Sequence, residues 1–127
     1  MIQAHFNQIK VIVDQYAVTR FVLDANVSFE TRPGDQGYLT GSITFVDGSV
    51  LYFREFLDAA KETVDKLTYT YHYQDAGNQL ILRYDNARHR PPLRSLEHKH
   101  IPGQIVETPA PTLDDVLAEI AVTKGWV

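Results

Sequence analysis

The chain has 127 residues, with 12 Lys and Arg against 16 Asp and Glu, so its net charge is −4 at pH 7. This length suits a single domain over residues 1–127 that buries its own core. The acidic balance argues against coating of nucleic acid by the whole surface. The absence of cysteine excludes disulfides, thiolate metal ligands and a cysteine nucleophile. No segment approaches the roughly 20 apolar residues of a membrane span, and we expect a cytoplasmic protein without membrane association.

The N-terminal segment is predicted to be an amphipathic helix over residues 2–16, because its apolar residues recur at spacings of three and four. These residues are Ile2, Phe6, Ile9, Val13 and Tyr16. From Arg20 the pattern changes to a β-branched and aromatic run that is typical of a strand, and Pro33-Gly34-Asp35 closes this run.

All predicted strands lie within residues 19–85. The next two runs, YLTGSITFV and SVLYFREFL, are separated by Asp47-Gly48, which indicates a two-residue hairpin turn. The polar stretch DAAKETVDK then leads to KLTYTYHYQ and QLILRYD, which are joined by a second turn at residues 75–78. About five consecutive strands with short links predict an antiparallel meander.

Three prolines, Pro91, Pro92 and Pro102, predict an extended basic loop over residues 86–103, with at most a short edge strand near its end. A capping-box pattern at Thr112 and Asp115 predicts a C-terminal helix over residues 112–124. The expected fold is therefore α+β, a single antiparallel sheet with an N-terminal and a C-terminal amphipathic helix.

The hairpin around Ala76-Gly77 predicts the two faces of its strands. If these are the turn residues, one face is aromatic and apolar and carries Tyr69, Tyr71, Tyr73, Leu80, Leu82 and Tyr84. Core packing is the expected role of these tyrosines, with base stacking as the alternative. The opposite face carries His72, Arg83 and Asp85, with His72 diagonal to Arg83 and within side-chain reach.

Residues 83–100 hold five of the twelve basic residues and three of the five histidines. With two acidic residues the segment carries a charge of +3, on a chain that is otherwise anionic. Such a strip indicates a local anion site, and the alternative is a solvated polar loop. Phosphate contacts are predicted for four of its side chains: Arg88, Arg90, Arg94 and Lys99.

His98 and His100 are expected to point the same way from an extended backbone. Two roles remain open: acid and base work on a phosphodiester, or divalent metal binding together with Asp85 or Glu55. Glu55 is the one charged residue in an otherwise apolar alternation. Arg83 or a loop histidine is a candidate partner for it, and the alternative is a solvated carboxylate at a strand end or on an exposed edge. His5 is expected at the surface. No cofactor is predicted, and a divalent metal stays open.

Three stretches together resemble the TumE family of small predicted toxins from toxin–antitoxin pairs. They are the Asp47-Gly48-Ser49 hairpin running into REFLD, the segment YTYHYQD followed by LILRYDNARHRP, and His98-Lys99-His100 before a short acidic helix. The resemblance covers residues 37–120. It implies the toxin of a type II pair and a cognate antitoxin with a helix-turn-helix domain as the partner.

The resemblance does not supply a reaction, whereas the residues suggest one. A small ribonuclease would use His98 and His100 as acid and base and Arg83 on the phosphate, with Asp85 orienting them and His72 in reserve. The alternatives are a non-catalytic protein that docks a partner or nucleic acid through the basic loop, and a metal-dependent nuclease or nucleotide-transfer enzyme. The terminal helices and an exposed strand edge would also allow a homodimer.

Overall fold

The computed structural model describes residues 1–88 and 96–127. Two helices and seven strands follow one another along these residues. Their bounds are α1 Ile2–Ala17, β1 Val22–Arg32, β2 Gln36–Phe45, β3 Val50–Lys61, β4 Thr63–Gln74, β5 Leu80–Asp85, β6 His98–Ile101, β7 Gln104–Glu107 and α2 Leu113–Thr123.

The strands form one antiparallel sheet in the order β1-β2-β3-β4-β5-β6-β7. The α+β class and the meander are confirmed, but the sheet has seven strands where about five were expected. The two additional strands come from the C-terminal part of the predicted loop and the residues after it. Pro102 and Gly103 form the turn between β6 and β7, with Gly103 at φ +77°, a conformation that suits glycine after proline. Proline therefore ends a strand here without ending the sheet.

Two hairpin loops are one residue longer than predicted. Gly48 donates its backbone N–H to the carbonyl of Phe45, and Asn78 donates to that of Asp75, so three residues separate the paired strands in each case. Both Gly48 and Asn78 have positive φ, as expected for a type I turn followed by a left-handed residue. The predicted two-residue turns are wrong at both places.

The polar stretch DAAKETVDK is not a link but continues both neighbouring strands. β3 extends to Lys61 and β4 begins at Thr63, with Glu62 at φ +49° as the single turning residue. Alternation continues into this stretch, because Leu57 and Ala59 are buried while Ala60 is exposed. Pairing with the neighbouring strand therefore overrides a composition that is weak in strand formers.

Both helices pack on the same face of the sheet. The buried residues of α1 and α2 form one core with the inward residues of β2 to β5. Tyr69, Tyr71 and Tyr73 belong to this core, so the packing interpretation of the tyrosines is confirmed. Thr112 caps α2 through the predicted box with Asp115. Within residues 1–88 and 96–127, neither helix has the length and apolarity to cross a membrane.

Candidate functional site

The opposite face of the sheet, called the open face below, carries a row of polar side chains across three strands. On β4, β5 and β6 the residues His72, Arg83 and His100 lie directly opposite one another. The adjacent row contains Thr70, Asp85 and His98 on the same strands. Five residues named by the sequence therefore meet on one face, namely His72, Arg83, Asp85, His98 and His100.

Asp85 is the centre of this group. Its carboxylate is buried, and it accepts a hydrogen bond from Arg83 Nε at 2.7 Å. Its other oxygen lies 2.7 Å from His98 Nε2 and also accepts the backbone N–H of Ala87. His100 Nε2 lies 3.7 Å from the oxygen that Arg83 contacts. One carboxylate thus orients a guanidinium and two imidazoles.

The surroundings of Asp85 keep it ionised. Burial alone would raise the pKa of its carboxyl, but hydrogen bonds from Arg83 and Ala87 and the positive charges of His98 and Arg83 outweigh this effect. The pKa therefore lies below its usual value. An ionised Asp85 holds Arg83 in place at neutral pH.

His98 has no solvent exposure. Its Nδ1 lies 2.6 Å from the carbonyl oxygen of Leu96, and its Nε2 faces the Asp85 carboxylate. Both ring nitrogens therefore face oxygen acceptors. In this structure His98 supports Asp85 from inside the protein and has no direct access to a substrate.

His72 differs from His98 because it is only half-buried. Desolvation and the charge of Arg83 lower the pKa of His72, against an opposing hydrogen bond with Gln74. Its Nε2 lies 3.0 Å from Gln74 Oε1, and its Nδ1 lies 3.5 Å from Arg83 Nη1. These partners suit a neutral ring with the proton on Nε2 and the lone pair of Nδ1 towards Arg83. His72 is therefore a proton acceptor beside a cation.

Two shallow hollows of about 310 and 370 Å³ lie on the open face and share Arg54, Thr70 and Arg83 as lining residues. Arg54 is exposed on β3, and its Nε donates to Thr70 Oγ1 at 3.3 Å. It adds a second guanidinium next to Arg83 that the sequence reasoning missed. The sequence does indicate its position, because neighbouring residues of a strand point to opposite faces and Glu55 is buried on the other face.

The predicted phosphate contacts divide into three groups. Lys99 lies on the helix-covered face, where its Nζ is 2.5 Å from Glu119 Oε2 on α2 and 5.1 Å from the centre of the Tyr84 ring. Arg88 is exposed beyond the end of β5. Arg90 and Arg94 lie outside the described residues. Of Arg88 and Lys99, the two that the structure describes, Arg88 is therefore the one that is not held on the helix-covered face.

Glu55 does not join the other metal-ligand candidates. It is buried on the helix-covered face, so the sheet separates it from Asp85. His5 on α1 lies 2.7 Å from its Oε1, and the Tyr71 hydroxyl donates to its Oε2. The prediction that Arg83 or a loop histidine pairs with Glu55 is wrong, and His5, which was expected at the surface, is half-buried against Glu55. Glu55 instead holds α1 onto the sheet.

Within the described part of the chain, Asp85, His98 and His100 are the three residues whose ligand atoms approach closely enough to hold a metal ion. Their candidate atoms lie within 4.8 Å of one another. Two imidazoles and a carboxylate suit Zn²⁺ or a related ion. The Arg83 guanidinium on the same carboxylate opposes a second cation there. The donor atoms are therefore of the kind that bind a divalent metal, but the positive charge of Arg83 weakens binding.

The fold and this site define a small α+β protein that presents arginine and histidine on one face of a meander sheet. The chain belongs to the TumE toxin family, since the family described as Toxin TumE matches residues 9–123. This match confirms the resemblance, and membership of this family suggests a toxin role. No curated protein and no solved structure matches the chain significantly.

Proposed function

We propose that this toxin acts as a metal-independent ribonuclease at the open-face row of His72, Arg83 and His100. The observation that carries the proposal is the placement of a guanidinium between two imidazoles on adjacent strands. Neighbouring strands are about 4.8 Å apart, so a phosphate bound to Arg83 would have one imidazole on either side. This arrangement matches the needs of phosphodiester cleavage, which are a base, an acid and a cation on the developing charge.

In the proposed reaction, His72 takes the proton of a ribose 2′-hydroxyl. The 2′-oxygen attacks the adjacent phosphorus, and the bond from phosphorus to the 5′-oxygen of the next nucleotide breaks. His100 gives its proton to that 5′-oxygen. The products are a 2′,3′-cyclic phosphate and a 5′-hydroxyl, with no other reactant consumed. The lowered pKa of His72 supports its role as the base, since the ring is neutral at physiological pH.

His100 is assigned as the acid because the Asp85 carboxylate, 3.7 Å from its Nε2, stabilises a positive charge on the ring. His98 is assigned a positioning role, since its buried ring holds Asp85 from behind. Arg83 and Arg54 would neutralise charge on the phosphorane. These assignments revise the expectation from the sequence, in which His98 and His100 divided the acid and base work.

An end-labelled RNA with purified protein tests the proposal. We expect cleavage that persists in EDTA and is lost in His72→Ala, Arg83→Ala and His100→Ala. Lys10→Ala is the matched control, because Lys10 is an exposed basic residue on α1, on the other side of the sheet. Full cleavage by all three site variants would overturn the assignment, and RNA binding without cleavage by the wild type would favour the non-catalytic docking protein.

A metal-dependent nuclease or nucleotide-transfer enzyme is the second candidate, favoured by the proximity of Asp85, His98 and His100. These residues would hold the ion, which would activate a water or polarise a phosphoryl oxygen. Activity that EDTA abolishes and that Zn²⁺ or Mn²⁺ restores would select this candidate. His98→Ala would then abolish metal binding measured by calorimetry.

We further propose that the toxin belongs to a type II pair, with a helix-turn-helix antitoxin as its protein partner. Family membership supports this proposal. Arg88, which is exposed just after β5, is a basic side chain that suits an acidic segment of an inhibitor. Coexpression with the adjacent gene tests it. Relief of growth arrest and copurification of the two proteins are expected, and arrest that persists despite a well-expressed neighbour would contradict the pairing.

A further inference from the structure

The row of His72, Arg83 and His100 continues onto β3 with an aromatic residue. Tyr52 lies directly opposite His72, so the order across four strands is Tyr52, His72, Arg83 and His100. The Tyr52 side chain is 49% exposed, and it lines the hollow of about 310 Å³ together with His72 and Arg83. A flat ring thus stands at one end of the proposed catalytic row.

Tyr52 differs from the other aromatic residues of the open face. The Arg32 guanidinium lies over the rings of Tyr38 and Phe56, at 5.1 and 5.4 Å from their centres. In the part of the chain that the structure describes, no aromatic ring or cation stacks on Tyr52. Its face is therefore available to a ligand, whereas Tyr38 and Phe56 are already covered.

The surroundings of Tyr52 suit a nucleobase with its sugar. The hydroxyls of Thr40 and Thr70 and the Arg54 guanidinium line the same hollow and can hydrogen-bond to the edge of a base. The volume of the hollow is at the lower end of the roughly 300–1,000 Å³ of small-molecule sites, which fits one nucleoside. The site combines an open aromatic face with a cationic groove, as in proteins that bind single strands.

We infer that Tyr52 is the stacking platform for the base on the 5′ side of the cut in single-stranded RNA. The inference rests on the proposed ribonuclease function and fixes the direction of the substrate. The attacking 2′-hydroxyl belongs to the 5′ nucleotide, so it must lie next to His72. The base of that nucleotide then falls on Tyr52, and the 3′ nucleotide leaves on the side of His100. The strand runs 5′ to 3′ from β3 towards β6.

The inference also identifies the substrate class. A base can stack on Tyr52 only when it has left its own helical stack, so paired RNA is excluded unless a nucleotide is extruded. Because every base has an aromatic face, stacking alone gives weak sequence preference. Single-stranded segments and loops are the expected substrates.

Binding of a fluorescent single-stranded RNA carrying 2′-O-methyl groups throughout tests the inference without requiring cleavage. The Tyr52→Ala variant is expected to bind about 5- to 100-fold more weakly, while Tyr52→Phe keeps the ring and binds like the wild type. Tyr38→Ala is the matched control and should change the affinity little, because Arg32 already covers that ring. A thermal melt of each variant confirms that the sheet is intact.

Photocrosslinking fixes the position of the base. RNA with 4-thiouridine immediately 5′ to the methylated cut site is expected to crosslink to the peptide containing Tyr52, and 4-thiouridine on the 3′ side is not. The reverse pattern, equal binding by Tyr52→Ala, or equal binding of a fully paired duplex would overturn the inference even if the protein cleaves RNA. If RNA stacks on Tyr52 but unmodified RNA is not cleaved, the base-binding site is supported and the ribonuclease proposal is overturned.

Discussion

Replacement of Asp85 by asparagine removes the charge that holds the open-face site together, with little change in side-chain size. The asparagine oxygen can take the place that accepts from Ala87 and His98. Its NH₂ group must then face Arg83 Nε, a donor now 2.7 Å from the carboxylate. One hydrogen bond between charged groups is lost, which costs about 1.5–3 kcal/mol. Because the Arg83 side chain is 35% exposed, water compensates in part, and we expect a loss of about 2 kcal/mol.

Urea unfolding, monitored by circular dichroism, measures this loss of stability when the wild type is compared with Asp85→Asn. The pKa of Asp85 is lowered in the folded protein, so its contribution is present above the ordinary carboxyl pKa of about 3.9. It disappears as the pH falls through the still lower pKa of the folded state. The difference in unfolding free energy between the wild type and Asp85→Asn should therefore shrink as the pH falls below about 4.

Asp65→Asn is the control for the charge change, because Asp65 is exposed on β4. It should alter the unfolding free energy by about 0.5 kcal/mol or less. If Asp85→Asn were as stable as this control at pH 7, Asp85 would not organise its neighbours. A difference between wild type and Asp85→Asn that grows as the pH falls below about 4 would contradict the sign of the argument.

Three further changes test other parts of the structure. Glu55→Gln should lower the free energy of unfolding by about 2 kcal/mol at pH 7, because it removes the buried charge beside His5. Burial raises the pKa of Glu55, but hydrogen bonds and nearby cations lower it overall. In urea unfolding, the destabilisation should therefore become smaller when the pH is below about 4. Gly48→Ala should cost about 1–2 kcal/mol in the same assay, since Gly48 has φ +83°, and an unchanged midpoint would refute the turn. Lys99→Met should lower the free energy of unfolding by about 1 kcal/mol, because the contact with Glu119 is lost. It should leave RNA cleavage unchanged, and reduced cleavage would place Lys99 at the site.

The face of each strand was predictable where alternation was clear. The assumed pairing of the hairpin at residues 75–78 was off by two residues for most of its length, since Tyr71 pairs with Tyr84 instead of Leu82. A shift of two residues leaves every side chain on its face. His72 and Arg83 therefore share the open face as expected, and they are directly opposite instead of diagonal. Because side chains alternate along a strand, His98 and His100 share one face of β6 and Lys99 lies on the other.

Features that depend on distant packing were not predictable from local patterns. Glu55 is recognisable as the charged member of an apolar face, but its partner His5 comes from a helix 50 residues earlier in the chain. Where α1 lies on the sheet decides that contact, and no local signal encodes it. The complete burial of His98 likewise depends on tertiary structure, and it changes the role proposed for that histidine.

Short strands were the third difficulty. β6 and β7 have four residues each, below the length at which alternation can be read, and the prolines before them favour a loop. Yet β6 supplies His100, so a strand that local patterns hardly indicate completes the proposed site.

The chemical ends of the RNA fragments test the central claim most directly. After incubation of a defined single-stranded RNA with the wild-type protein in EDTA, mass spectrometry should find a 2′,3′-cyclic phosphate on the 5′ fragment and a 5′-hydroxyl on the 3′ fragment. A single 2′-deoxy sugar at the cut should abolish that cut. Fragments with 5′-phosphate ends, or cutting that continues at the deoxy sugar, would contradict a mechanism in which His72 activates the 2′-hydroxyl.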